Sequence, residues 1–163
     1  MSASILSLKE AKIFQKDHMV LSKVNFDLLA GDFTYLIGKT GSGKSSLLKT
    51  IYGDLELQEG EGLVAGFDLN KLKEKDIPFL RRNIGVVFQD FQLLSDRSIN
   101  DNLLFVLKAT GWVDKSKIDA RILEVLEQVN MGSKAYKMPH ELSGGEQQRI
   151  AIARALLNEP NIS

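Results

Sequence analysis

Apolar positions fall in short bursts through the first third of the chain and at helical spacing through the second half. Ile5, Leu6 and Leu8 open a strand, and Val24, Phe26 and Leu28 alternate with Asn25 and Asp27 as a half-buried strand does. Gly31-Asp32 reads as a turn, after which Phe33 to Ile37 forms a short apolar strand that runs into a glycine-rich loop. Lys44 to Tyr52 is compatible with a helix. A strand pair is expected around Gly62 to Leu69, punctuated by Gly60, Gly62 and Gly66, and Pro78 to Arg82 reads as a short helix. Ile84 to Phe88 has the unbroken apolar pattern of a strand buried on both faces.

From Ser98 to Lys108 the residues Ile99, Leu103, Val106 and Leu107 share one helical face, and from Lys115 to Val129 Ile118, Ile122, Val125, Leu126 and Val129 do the same. Both stripes read as core packing. A last helix is expected from about Ser143 to Asn158, ended by Pro160, which pushes its predecessor out of the helical region. The pattern therefore predicts a single α/β domain over 1–163. It has a small antiparallel sheet near the N-terminus, an α/β core in which one strand feeds the glycine-rich loop, and a helical subdomain over about 90–145.

Composition narrows the function classes. The chain has 163 residues, with 21 basic and 21 acidic side chains and no net charge. It therefore offers no large uniform field for a nucleic acid, and none is expected as a partner. It has no cysteine, which removes disulfides and thiolate metal sites. No apolar stretch nears the length of a membrane span, and Met1 to Leu8 lacks the pattern of a signal peptide. A cytoplasmic protein is the expectation, one that a partner could place at a membrane. His18 and His140 lack metal-ligand spacing and read as surface residues, Trp112 as packing at a helix end, and the charged run Lys71 to Asp76 as a solvated face.

Gly38-Lys39-Thr40-Gly41-Ser42-Gly43-Lys44-Ser45 matches G-x-x-x-x-G-K-[ST] in full. The glycines let successive backbone N–H groups turn toward one anion. The helix beginning near Lys44 adds the positive end of its dipole. Lys44 can reach the β- and γ-phosphates, and the Ser45 hydroxyl suits Mg²⁺, which takes few protein ligands. A strand before the loop and a helix after it supply the context that separates a nucleotide site from an incidental glycine turn. Kinases, GTPases and ATP-driven motors all share this loop.

A second motif, Leu142-Ser143-Gly144-Gly145-Glu146-Gln147-Gln148-Arg149, opens the last helix. Ser143 with Glu146 is a capping box, a structural device. It leaves Gly144 and Gly145 unexplained, because glycine in a first turn costs stability unless something approaches the backbone closely. A helix start with a serine hydroxyl and two bare amides is a second anion site.

With both motifs in this order, and Gln89 between them, the chain resembles the ATP-binding subunits of ABC transporters over essentially its whole length. The segment Val86 to Arg97 most resembles the cell-division branch of that family, with the lipoprotein-releasing type next. The resemblance implies ATP and Mg²⁺ as ligands. Lys44 and the amides of Gly41 to Ser45 would hold phosphates, with Gly38, Lys39 and Thr40 completing the loop and Ser46 beside the α-phosphate. Ser45 and Gln89 would ligate Mg²⁺. Phe14 would stack on adenine where the family more often has tyrosine, since either ring offers a π-face, with plain core packing as the alternative. Ser143, Gly144 and Gly145 would contact the γ-phosphate held by a second copy, giving a homodimer on ATP binding. Catalytic roles would thus fall to Lys44, Gln89 and Ser143. An integral membrane partner of the permease type would dock near Gln89 to Arg97, placing the protein at the inner face of the cell membrane.

After Asn161-Ile162-Ser163 the family pattern continues with an apolar strand ending in Asp then Glu, and later a His. The expectation is therefore a fragment or truncated product, with the C-terminal part of the core missing and an exposed apolar sheet edge. Since phosphoryl transfer depends on positioning, hydrolysis is expected of the complete protein, and nucleotide-dependent docking without turnover is the competing reading for this chain. A small-substrate kinase or GTPase is disfavoured by the second motif.

Overall fold

The computed structural model describes residues 4–163. Two long strands open it: β1, Ser4–Gln15, pairs antiparallel with β2, His18–Leu29, across a tight turn in which Lys16 takes the left-handed φ of 56°. β1 buries Leu6 and Leu8, then Ala11 and Ile13, so its inward side changes phase once. The pairing slips between Leu8 and Ala11, where Glu10 has φ 47°. A bulge of this kind moves the following side chains to the opposite face. The Asn25 side chain stabilises it, accepting from the Glu10 N–H at 2.9 Å and donating to the Glu10 carboxylate at 2.8 Å.

On the other side of β1 lies β3, Glu59–Val64, followed by the short β4, Phe67–Asp68, giving the order β2-β1-β3-β4. Gly60 is required by close approach, because a Cβ there would stand 2.5 Å from the Ala11 Cα. This sheet, with α1 (Lys44–Ile51), α2 (Ile77–Arg82) and two single-turn 3₁₀ segments between β4 and α2, belongs to a first compact unit reaching to Arg81 and including Ile162. Its buried side chains include Leu8, Ile13, Leu47, Ile51, Leu57, Val64, Leu69 and Leu80.

A second unit spans Arg82–Asn161 with Ser163. It contains α3 (Ile99–Ala109), α4 (Lys115–Gln128) and α5 (Gly144–Leu156). Each begins at a capping side chain, Ser98, Asp114 and Ser143 respectively, which accepts a first-turn amide. Ile99, Leu103 and Leu107 from α3 meet Ile118, Ile122, Val125 and Leu126 from α4 and Ile150 and Ala153 from α5 in one core cluster. The buried Arg121 on α4 closes the far end of α5, its Nε and Nη2 donating to the carbonyls of Leu157 and Leu156 at 2.9 and 2.7 Å.

The helices, the β3–β4 pair and the short helix before Arg82 stand where the sequence pattern puts them. Two expected strands do not form. Phe33 to Ile37 belongs to no ladder, with Phe33, Tyr35 and Ile37 82%, 77% and 90% exposed. Ile84 to Phe88 has only an isolated bridge at Ile84, and Val87 is 43% exposed rather than buried on both faces. Among the described residues there is no parallel sheet; the one sheet is antiparallel throughout. A strand is held by hydrogen bonds to a neighbour, and an apolar run without one stays irregular whatever its propensity.

The exposed run should make the purified chain self-associate. Replacing Phe33 and Tyr35 together by lysine is expected to lower concentration-dependent light scattering while changing stability by no more than about 0.5 kcal/mol, as for other surface positions. Unchanged scattering would mean another surface drives association.

Candidate nucleotide-binding site

The loop from Gly38 to Ser45 leads straight into α1. Gly41 and Gly43 both take left-handed φ, 79° and 93°, which turns the chain back under itself. Gly43 has a second reason to lack a side chain. A Cβ there would come within 2.8 Å of Leu21 and 2.9 Å of Val20, so β2 presses directly on the loop. At Gly38 a Cβ would meet the Ser42 hydroxyl at 2.6 Å. The Ser42 N–H closes a turn onto the Lys39 carbonyl at 3.1 Å, and Thr40 lies at its exposed tip.

The first helical hydrogen bond runs from the Leu47 N–H to the Gly43 carbonyl at 2.9 Å. The amides of Lys44, Ser45 and Ser46 thus precede the ladder, and α1 has neither a side-chain cap nor an acidic residue in its first turn. Lys44 folds back over the loop, donating to the carbonyls of Gly38 and Lys39 at 2.6 and 2.7 Å and approaching the Ser42 hydroxyl at 3.3 Å. An uncapped helix start, a curled glycine backbone and one ammonium with no carboxylate partner form a donor set that fits a polyphosphate. Ser45 is exposed at its rim and fits a magnesium-ligating hydroxyl, whereas Ser46 is buried. Phe14 is half-buried near the end of β1, opposite Met19, in the hairpin whose β2 residues Val20 and Leu21 touch Gly43.

The second helix end lies in the second unit. The Glu146 N–H reaches the Ser143 hydroxyl at 3.3 Å, and the Glu146 carboxylate accepts from the Ser143 N–H at 2.9 Å, so the capping box is present. Lys134 also donates to Glu146. That ammonium, with the Ser143 amide adding to it, lowers the Glu146 pKa from an ordinary carboxylate value of 4.5 to about 2. Ser143, Gly144 and Gly145 are exposed, and a Cβ on either glycine would meet nothing within 4 Å. Among the described residues no packing accounts for the two glycines.

Gln89 sits in an exposed turn of the second unit, and the loop that follows is fixed from beneath by residues that the sequence pattern does not single out. The buried Asn102 accepts from the Leu94 N–H at 2.7 Å and donates to the carbonyls of Leu94, Arg97 and Ser98 at 3.0, 3.2 and 2.9 Å. Arg154 on α5 holds the carbonyls of Phe91 and Gln92. A polar residue beside the apolar stripe of α3 is a signal for Asn102, whereas Arg154 carries none. The loop displays Arg97 over the exposed Phe105 ring at 5.4 Å. Each of these local arrangements is ordered within its own unit. Among the described residues no cluster of acidic or histidine side chains could hold a metal alone, and no helix is long and apolar enough to cross a membrane.

The chain is similar to known proteins over nearly its whole length. The ABC transporter family profile matches residues 21–163. The "Cell division ATP-binding protein FtsE" of Streptococcus pneumoniae serotype 2 is 39% identical over 160 residues, 98% of this chain and 69% of the relative. The protein of that name from Bacillus subtilis is 41% identical over 97% of this chain and 69% of its own length. Among solved structures, the dimeric bacterial ABC transporter cassette MJ0796 superposes with a TM-score of 0.82 at 32% identity, covering 95% of this chain and 70% of that one. Its post-hydrolysis form bound to ADP and Pi superposes with a TM-score of 0.79.

The Glu146 carboxylate gives a direct check on the second helix end. Its folded-state value is depressed, so its stabilising contribution is complete above the ordinary carboxylate range and fades as pH falls toward about 2. Replacing Lys134 by methionine should raise the Glu146 midpoint toward the ordinary value in an NMR titration; an unmoved midpoint would show that Lys134 does not set it.

Proposed function

This chain belongs to the ABC transporter family, and from that membership we infer that it binds MgATP as the nucleotide-binding subunit of a membrane complex serving cell division. ATP hydrolysis is the family's activity, and the complete cassette would use it to drive the membrane partner. The observation that carries the reading is the uncapped start of α1, with Lys44 folded over a glycine backbone that β2 presses into place. Lys44 and the amides from Gly41 to Ser45 hold the β- and γ-phosphates, with Gly38, Lys39 and Thr40 shaping the loop and Ser46 beside the α-phosphate. Phe14 stacks on adenine. Ser45 and Gln89 would hold Mg²⁺, which would supply charge neutralisation at the phosphates.

Ser143, Gly144 and Gly145 meet the γ-phosphate carried by a second copy, so that ATP closes a homodimer. Support comes from the open space over both glycines and from the dimeric MJ0796 cassette. The exposed loop from Gln89 to Arg97, braced by Asn102, faces an integral membrane permease of the FtsX type. The chain then works at the cytoplasmic face of the membrane through that partner. Support for the cell-division role comes from the names of the relatives at about 40% identity.

Equilibrium binding of a fluorescent ATP analogue tests the phosphate site. Lys44→Ala removes a charge-assisted contact of about 1.5–3 kcal/mol and should raise Kd by roughly one to two orders of magnitude. Unchanged affinity would overturn the assignment. Sedimentation with MgATP tests the second end. Gly145→Asp puts a carboxylate against the incoming γ-phosphate and should abolish ATP-dependent dimerisation while leaving nucleotide affinity intact. A variant that still dimerises on ATP would remove Ser143 to Gly145 from the reading.

A further inference from the structure

The backbone after Gln89 follows an unusual course. Phe91 and Gln92 are consecutive non-glycine residues in the left-handed region, with φ of 59° and 47°. Each such residue is costly for a side chain bearing a Cβ, and two in a row persist only where the surroundings dictate them. The local hydrogen bonds are short-range: Phe91 N–H to the Phe88 carbonyl at 3.0 Å, and Gln92 N–H to the Asp90 carbonyl at 2.7 Å. They turn the Phe91 and Gln92 carbonyls toward α5. There the planar guanidinium of Arg154 takes both, Nη2 donating to Phe91 at 2.6 Å and Nη1 to Gln92 at 2.8 Å. Burial pushes the Arg154 pKa down from the ordinary guanidinium range, with the Asp90 carboxylate opposing it. A partly buried cation held on two backbone carbonyls is a costly arrangement for a surface loop. It fixes the two residues immediately downstream of Gln89 and Asp90.

We propose that Arg154 is a positioning residue for Gln89, locking the left-handed turn at Phe91-Gln92 and so fixing the direction in which the Gln89 side chain leaves the backbone. The helix that carries Arg154 begins at Ser143 to Gly145, so one rigid element joins the second helix end to the loop of Gln89. The inference rests on the reading of Gln89 as a magnesium ligand. An arginine that only secures α5 would matter for stability and not for the metal. An arginine that aims Gln89 acts as an outer support of a metal ligand.

The test compares the Kd of a fluorescent ATP analogue with excess magnesium and with EDTA; the ratio of the two is the magnesium enhancement. Gln89→Ala should reduce the enhancement roughly tenfold, and Arg154→Ala should reduce it by a similar factor with the EDTA value unchanged. The double variant should be no worse than Gln89→Ala, because both changes remove the same contribution. Arg154→Lys, which keeps the charge but cannot span both carbonyls, should fall between, and it carries the comparison if Arg154→Ala does not fold. Arg154 variants with a lower melting temperature and a wild-type enhancement would overturn the proposal, as would losses that add in the double variant. A Gln89→Ala protein with undiminished enhancement would remove the metal reading of Gln89 itself, and this inference with it; that failure shows in the single variant alone.

Discussion

The contact on which the nucleotide end depends is the approach of β2 to Gly43. With Val20 and Leu21 within 3 Å of where a side chain would begin, the loop backbone is clamped against the sheet. The clamp sets where α1 starts, and that start sets which amides remain outside the helical ladder. Lys44 then has only neutral partners, the carbonyls of Gly38 and Lys39 and the Ser42 hydroxyl, so its charge stays available to an anion. The β1–β2 hairpin is therefore the anvil for the loop as well as a sheet edge. Its bulge at Glu10 lets one strand bury Leu6 and Leu8 on one phase and Ala11 and Ile13 on the other.

The second unit solves a different problem with the same means. Its three capped helices bury a contiguous aliphatic core, and around that core two polar side chains order an exposed loop. Asn102 does so from α3 and Arg154 from α5. Preordering of this kind removes the entropy that a partner or a metal would otherwise have to offset on binding. Glu146 is tied similarly, held by Lys134 and the Ser143 amide, while the neighbouring glycines stay bare. Rigid support beside open backbone suits a surface that meets a ligand from outside the chain.

The glycine-rich loop and the second unit both lie within the stretch that the ABC transporter family profile matches, residues 21–163. About two fifths of the aligned positions are identical in the relatives, and the chain spans 69% of their length. The solved cassettes superpose over nearly all of it. Unpartnered apolar residues from Phe33 to Ile37 show that the segment feeding the glycine-rich loop gets no strand neighbour from the described residues.

The sequence by itself determined what depends on near neighbours. Helices α3 and α4 were legible because their apolar residues recur within a turn of one another, and α5 because the Ser143–Glu146 capping box and Pro160 bracket it. The phosphate loop was legible because its glycines and Lys44 act over eight consecutive positions. Tertiary structure decided what depends on distant partners. Phe33 to Ile37 and Ile84 to Phe88 read as strands, but a strand exists only beside another, and its own side chains do not reveal whether one is there. The bulge in β1 needed Asn25 across the hairpin, and the clamp on Gly43 needed Val20 and Leu21. Arg154 lies 62 and 63 residues from the carbonyls it holds, a separation at which no local pattern carries a signal.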